Sequence, residues 1–225
     1  MRSIHSFNRT ARWIRTAMVL AVAVTFTGCS WSNKAKGTAA GTAAGAAVGG
    51  VIGNQTGSTA RGAIIGAVVG GAAGAVIGRQ MDQQAKELKV EIPGAVVERV
   101  GEGIQVTFAS GLLFDFDSDA IRPASAVNLQ TLAASLKKYS DTDLLIVGHT
   151  DSSGSNEYNQ SLSTRRSNAA SGYLAMQGIS ANRMRTSGMG EMEPIATNET
   201  EAGRQANRRI EVAIFASAAA HTGGQ

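Results

Sequence analysis

Apolar and polar positions divide the chain into three regimes. Residues 17–26 form an almost unbroken apolar run, and residues 37–78 are largely glycine, alanine and branched apolar residues around one charge, Arg61. From about residue 81, short apolar stretches alternate with polar ones. Within this last regime, positions 104–108 and 210–214 alternate with period two, which predicts half-buried strands. Leu144, Leu145, Ile146 and Val147 are apolar without alternation, which predicts a central strand. Leu129, Leu132, Ala133 and Leu136 recur at helical spacing behind Pro123, so a helix is expected over 124–138. Further elements are expected over 156–176 (helix, ending near Gly178), 183–188 (strand) and 199–207 (helix). This alternation predicts an α/β (α+β) two-layer sandwich, with about four strands in one sheet and helices on one face.

The middle regime carries a stricter pattern. Glycines recur every four residues in two series, at 37, 41, 45, 49 and 53 and then at 62, 66, 70, 74 and 78, separated by the polar stretch 54–61. Glycine costs about 1 kcal/mol relative to alanine inside an exposed helix, so this stripe needs compensation from a close helix–helix approach. A helical glycine-zipper hairpin or an oligomerising zipper satisfies that need, and a flexible Gly/Ala linker is the alternative. Each series spans about 25 Å as a helix. Residues 83–93 are polar and suit a tether, about 35 to 40 Å long if extended.

Composition sharpens the first regime. Of the 27 glycines in 225 residues, 13 lie in 37–78, so average composition describes no part of the chain. The formal charge is +4, yet Arg2, Arg9, Arg12 and Arg15 stand in the first 28 residues without an acid among them, and the remaining charges balance. The basic balance therefore argues for secretion rather than nucleic-acid binding. A basic stretch followed by a short apolar run reads as a signal peptide. Its end, Thr27-Gly28-Cys29, resembles the bacterial lipobox, although Phe26 stands where an aliphatic residue is usual. That resemblance implies lipidation of Cys29, and Ser30 after it implies an outer-membrane destination. Several acyl chains give stable anchoring where one would not.

The organisation expected is a lipoprotein signal over 1–28, an anchor segment over 29–36, the zipper hairpin over 37–78 and a linker over 79–94. A folded domain over 95–216 and a disordered tail over 217–225 complete it.

Ligand chemistry in open sheets gathers at the C-terminal ends of strands. After the central strand come Thr150 and Asp151, and on the next helix Arg166 falls on the same apolar stripe as Leu162. A guanidinium on a core-facing stripe needs an anion, either a ligand's or, for purely structural ends, Asp151 itself. Asp115, Asp117 and Asp119 have EF-hand spacing, but Ala120 and Ala126 stand where the loop needs Gly and Glu. His149 is the one histidine in the domain, so no zinc site, no other cofactor and no catalytic nucleophile–base pair is expected.

Several runs then resemble one family. Gly148-His149-Thr150-Asp151, Tyr158-Asn159, Leu162 to Arg166, Gly178-Ile179 and Asn207-Arg208-Arg209, with Phe114-Asp115-Phe116-Asp117 ahead of them, resemble the OmpA/Pal/MotB peptidoglycan-binding domain over about 103–215. With the lipobox and glycine zipper, the whole chain resembles the YiaD type of outer-membrane lipoprotein. The resemblance implies that Asp151 and Arg166 hold the diaminopimelate of the peptidoglycan stem peptide, with Asn159 and Leu162 lining the pocket and Asp115 at its rim. It implies a non-catalytic tether between outer membrane and cell wall, with its domain in the periplasm of a Gram-negative bacterium. The alternative is an envelope-assembly or stress factor whose zipper oligomerises or perturbs the membrane while peptidoglycan only localises it. Arg208 and Arg209 are expected to support the sheet or the glycan contact.

Overall fold

The computed structural model describes residues 58–69 and 75–217. The expected signal, Cys29, the first glycine series and residues 218–225 of the tail lie outside these residues.

Five strands form one mixed sheet in the order β1-β2-β5-β3-β4. A hairpin joins β1 (Ala95–Val100) to β2 (Gly103–Ala109). β5 (Arg209–Ala216) runs antiparallel to both β2 and β3 (Thr142–His149), and β4 (Met184–Gly188) is parallel to β3. The helices are α1 (Thr59–Val69), α2 (Ala75–Glu91), the single turn α3 (Ser110–Leu113), α4 (Ala126–Lys138), α5 (Asn156–Met176) and α6 (Glu201–Asn207). α5 makes the crossover that parallel neighbours require, and Ser155 caps it by accepting from the Tyr158 amide at 3.2 Å.

The expected strands and helices appear within a few residues of their predicted bounds, and the α+β class holds. Two parts of the expectation change. The sheet has a fifth strand, β1, whose side chains are mostly exposed or half-buried, with Val97 as its one buried position, so it carries little alternating signal. The helices also lie on both faces rather than one. On the inner face Ile104, Val106, Phe108, Leu144, Ile146, Ile210, Val212 and Ile214 pack beneath α2, α4 and α5. On the outer face Val147, Ala213 and Phe215 pack beneath α1 through Ala60, Ala63, Ile64 and Ala67. That second cover explains why Leu144 to Val147 are apolar without alternation: both faces of β3 are buried.

Of the second glycine series, Gly62 and Gly66 lie on α1 and Gly78 on α2, while Gly70 and Gly74 lie outside the described residues. α2 runs through the stretch expected as a tether, because Met81, Ala85, Leu88 and Ile92 form a helical stripe buried in the inner core. Gly103 makes room for α1, since a Cβ there would lie 2.5 Å from the Ile64 side chain and 2.5 Å from the Ile214 carbonyl oxygen. Gly148 does the same for α5: a Cβ would meet the Ser163 carbonyl oxygen at 2.2 Å. Among the described residues no helix is long and apolar enough to cross a membrane.

Candidate functional site

β3 ends at His149, and the chain turns over Thr150 and Asp151 into α5. Because α5 sits so close on Gly148, its first turns present Asn159, Leu162 and Arg166 beside that strand end. The segment after α3 brings Phe114 to Asp117 to the opposite side, and α6 with Arg208 closes the third. Between them lies a cavity of about 730 Å³. All five residues singled out from the sequence for ligand contact, Asp115, Asp151, Asn159, Leu162 and Arg166, line it. Cys29, the expected lipidation site, lies outside the described residues.

The two charges expected to act together do not pair with each other. Asp151 is buried, and its carboxylate accepts from the Ser153 amide at 2.8 Å and pairs with Arg208. Burial pushes its carboxyl upward, but the Ser153 amide and the Arg208 guanidinium outweigh that and hold it below the usual carboxylate value. Arg208 also donates to Glu201 at 2.7 Å, and although burial works against its charge, the two carboxylates raise it above the ordinary guanidinium value.

Arg166 is only 5% exposed. Its Nε donates to the Ser118 carbonyl at 2.8 Å and one Nη2 hydrogen to the Asp115 carbonyl at 3.5 Å, while the guanidinium carbon stands 5.2 Å from the Phe114 ring centroid. Burial lowers its basicity; Asp117 and Asp119 offset part of that, and Arg165 and Arg208 add to it. No carboxylate pairs with it among the described residues. Of its five N–H donors, two are spent on carbonyls and three remain. A buried cation held by neutral groups and a ring is poised for an anion from outside.

Other features converge on the same cavity. Asn159 Nδ2 bridges the Asp151 carbonyl at 3.2 Å and Glu191 at 2.6 Å. The hydroxyls of Thr150 and Ser110 are buried without a partner, which in a pocket marks places where a ligand can bond. Asp115 stands at the rim, its side chain 76% exposed and 3.4 Å from Arg122. Phe116 beside it is 99% exposed, and Asp117 has a φ of +56°, a strained conformation of the kind that clusters at ligand sites.

Arg208, expected only to support the sheet or the glycan contact, faces the cavity together with Glu201 and Arg204, for which the sequence carries no signal. The pairing of β5 with β3 explains Arg208: His149 stands opposite Arg209, so the residue before Arg209 must lie beside the residues that follow His149. Arg209 turns the other way. It is fully buried, with its guanidinium 2.7 Å from Glu211, and supports the sheet as expected.

Residues 113–208 match the OmpA family, and residues 10–82 match the YMGG-like Gly-zipper family. The chain is 37% identical over 136 residues to the probable lipoprotein YiaD of Escherichia coli (strain K12), covering 60% of this chain and 62% of that protein. It thus spans less than two thirds of YiaD. It is 33% identical over 129 residues to the peptidoglycan-associated lipoprotein of Agrobacterium fabrum, covering 57% of this chain and 73% of that one. Among solved structures, the cell wall anchor of the T6SS from Pseudomonas aeruginosa superimposes with a TM-score of 0.53 at 29% identity, over 62% of this chain and 99% of that one.

Proposed function

Because the chain belongs to the OmpA family, we propose that its cavity binds peptidoglycan non-covalently by the free end of diaminopimelate in the stem peptide. The protein then tethers the outer membrane to the cell wall through a lipid on Cys29. The observation that carries this reading is Arg166, a buried guanidinium with three unspent donors in the same cavity as an ionised Asp151. The free centre of diaminopimelate is a zwitterion. A planar fork receives its carboxylate through two parallel bonds, and Asp151 accepts its ammonium. Thr150 and Ser110 have hydroxyls left for the backbone of the peptide. The names of two relatives agree with such a ligand: one is a peptidoglycan-associated lipoprotein and one a cell wall anchor. On this reading the domain works in the periplasm and performs no catalysis.

Co-sedimentation with purified sacculi tests the proposal. Wild-type protein pellets with sacculi, whereas Asp151→Asn and Arg166→Ala stay in the supernatant while keeping cooperative thermal unfolding. Full pelleting of either folded variant would show that the cavity is not where the wall is held.

A further inference from the structure

Behind the cavity, on the outer face of the sheet, lies a second set of charged side chains that peptidoglycan binding does not use. Glu193 is buried and accepts from the first amide of α1, Thr59, at 3.0 and 3.2 Å, and from the Thr59 hydroxyl at 2.6 Å. Ser58 caps the same helix end by accepting from the Arg61 amide at 3.2 Å, and its hydroxyl lies 3.5 Å from Glu211. His149 sits fully buried between the two acids, 3.9 Å from Glu193 and 3.8 Å from Glu211, and Arg209 binds both Glu211 and the Glu193 carbonyl. The N-terminus of α1 is thus fastened by a carboxylate from a distant loop, a favourable place for a negative charge.

That loop is also part of the binding cavity. The Gly190 carbonyl accepts from the Thr150 amide at 2.8 Å, and the Gly190 amide donates to Ser163 at 2.9 Å. Glu191 holds Asn159, which in turn holds the Asp151 carbonyl. Residues 190–193 therefore grip the cavity on one side and α1 on the other. The same back-to-back arrangement recurs where α6 gives way to β5, with Arg208 serving Asp151 and Arg209 serving Glu211.

Among its described side chains, α1 buries one isoleucine and three alanines against Val147, Ala213 and Phe215, and its departure lets the charged cluster beneath it hydrate. We propose that α1 is a reversible strap, latched by Glu193, whose docking is coupled to occupancy of the cavity through residues 190–193. A ligand that orders Asp151, Asn159 and Arg208 also fixes Glu193 in its capping position and Glu211 beside Ser58, so the filled site holds α1 down. Linkage makes the effect reciprocal: an undocked α1 weakens the ligand by the same factor. The inference rests on the peptidoglycan reading for the identity of its ligand.

The test is hydrogen–deuterium exchange of the full chain in detergent, with and without a soluble disaccharide tetrapeptide containing diaminopimelate, and calorimetry of that ligand in parallel. Saturating ligand should slow exchange in α1 about fivefold or more, with β2 unchanged. Glu193→Gln should speed α1 exchange in the free protein and weaken the ligand by a matching factor, with β3 and β5 still protected. Thr59→Val, which touches only the helix side of the latch, should do the same and decides the matter if Glu193→Gln disturbs the strands. Heat of binding with unchanged α1 exchange would overturn the coupling alone. Absence of heat would overturn the peptidoglycan reading and the coupling with it.

Discussion

Replacing Arg166 by lysine keeps a positive charge in the cavity and removes the fork on which that charge is delivered. The native guanidinium spends two donors on the Ser118 and Asp115 carbonyls and retains three, enough for two parallel bonds to a carboxylate. A lysine ammonium has three donors on one nitrogen. If it serves the same two carbonyls, one remains, and a single donor cannot make two parallel bonds. One charge-assisted hydrogen bond is lost, about 1.5 to 3 kcal/mol, which weakens binding about 10- to 150-fold. Calorimetry with two soluble muropeptides isolates the contact: one carries the free carboxylate of diaminopimelate, the other its carboxamide. Amidation should cost the wild type a similar factor and cost Arg166→Lys much less, because the second prong is already gone. An Arg166→Lys protein that binds the free acid within about twofold of wild type, while melting normally, would refute the assignment of Arg166 as the carboxylate reader.

Three further outcomes follow from the packing and the buried charges. Gly148→Ala places a Cβ 2.2 Å from the Ser163 carbonyl oxygen, a backbone atom that cannot swing aside; α5 must retreat, with a loss of about 1 to 3 kcal/mol in a urea titration and weaker sacculus binding. Asn207→Ala should cost roughly 2 kcal/mol or more, because the fully buried Asn207 carbonyl accepts from the Ile195 and Ala196 amides while its amide holds Ala196 and Asn198; an unchanged melting curve would contradict this. Glu211 is held at about 2, since the His149 ring and Arg209 outweigh the burial that pushes it up. Its folded carboxyl lies below the unfolded value of 4.5, so its stabilisation is complete above that value and fades as pH falls toward 2. The amount is about 3 kcal/mol, and Glu211→Gln should flatten stability against pH between 4.5 and 2, a slope that urea midpoints at several pH values would measure.

Local pattern made the strands and the long helices legible, because each is specified by its own residues. β2 and β5 alternate apolar and polar residues, β3 is a continuous apolar run and α5 carries its buried positions at a spacing near 3.6, although the fold buries every position of β5 rather than one side of it. The polar stretch expected as a tether is α2, because Met81, Ala85, Leu88 and Ile92 among polar residues make a helix only when a core waits for them. The unalternating run in β3 already implied cover on both faces, a signal at odds with helices on one face. The site was legible where its parts are close in sequence, as Asp151, Asn159, Leu162 and Arg166 are. Arg208 joins from 57 residues away, and only the pairing of β5 with β3 brings it in. Sequence spacing allows Asp151 and Arg166 to satisfy each other, whereas the fold gives Asp151 a different partner.

That partner shapes what the cavity can accept. An Asp151 left alone would attract any cation, but here the Ser153 amide and Arg208 occupy about half of its acceptor positions and keep it ionised. Four carboxylates and three guanidiniums line the cavity, so a ligand with a large net charge of either sign upsets the balance, whereas a zwitterion leaves it unchanged. The proposed contacts contribute about 1.5 to 3 kcal/mol each, and ordering a flexible peptide offsets several kcal/mol. One stem peptide is then held weakly. On the proposed anchoring through Cys29, a polymer presenting many such peptides raises the effective concentration to the millimolar range. A weak site is mostly filled under that condition and still releases each peptide quickly. A wall that is continually cut and extended demands that combination, and a tighter single site would hinder it.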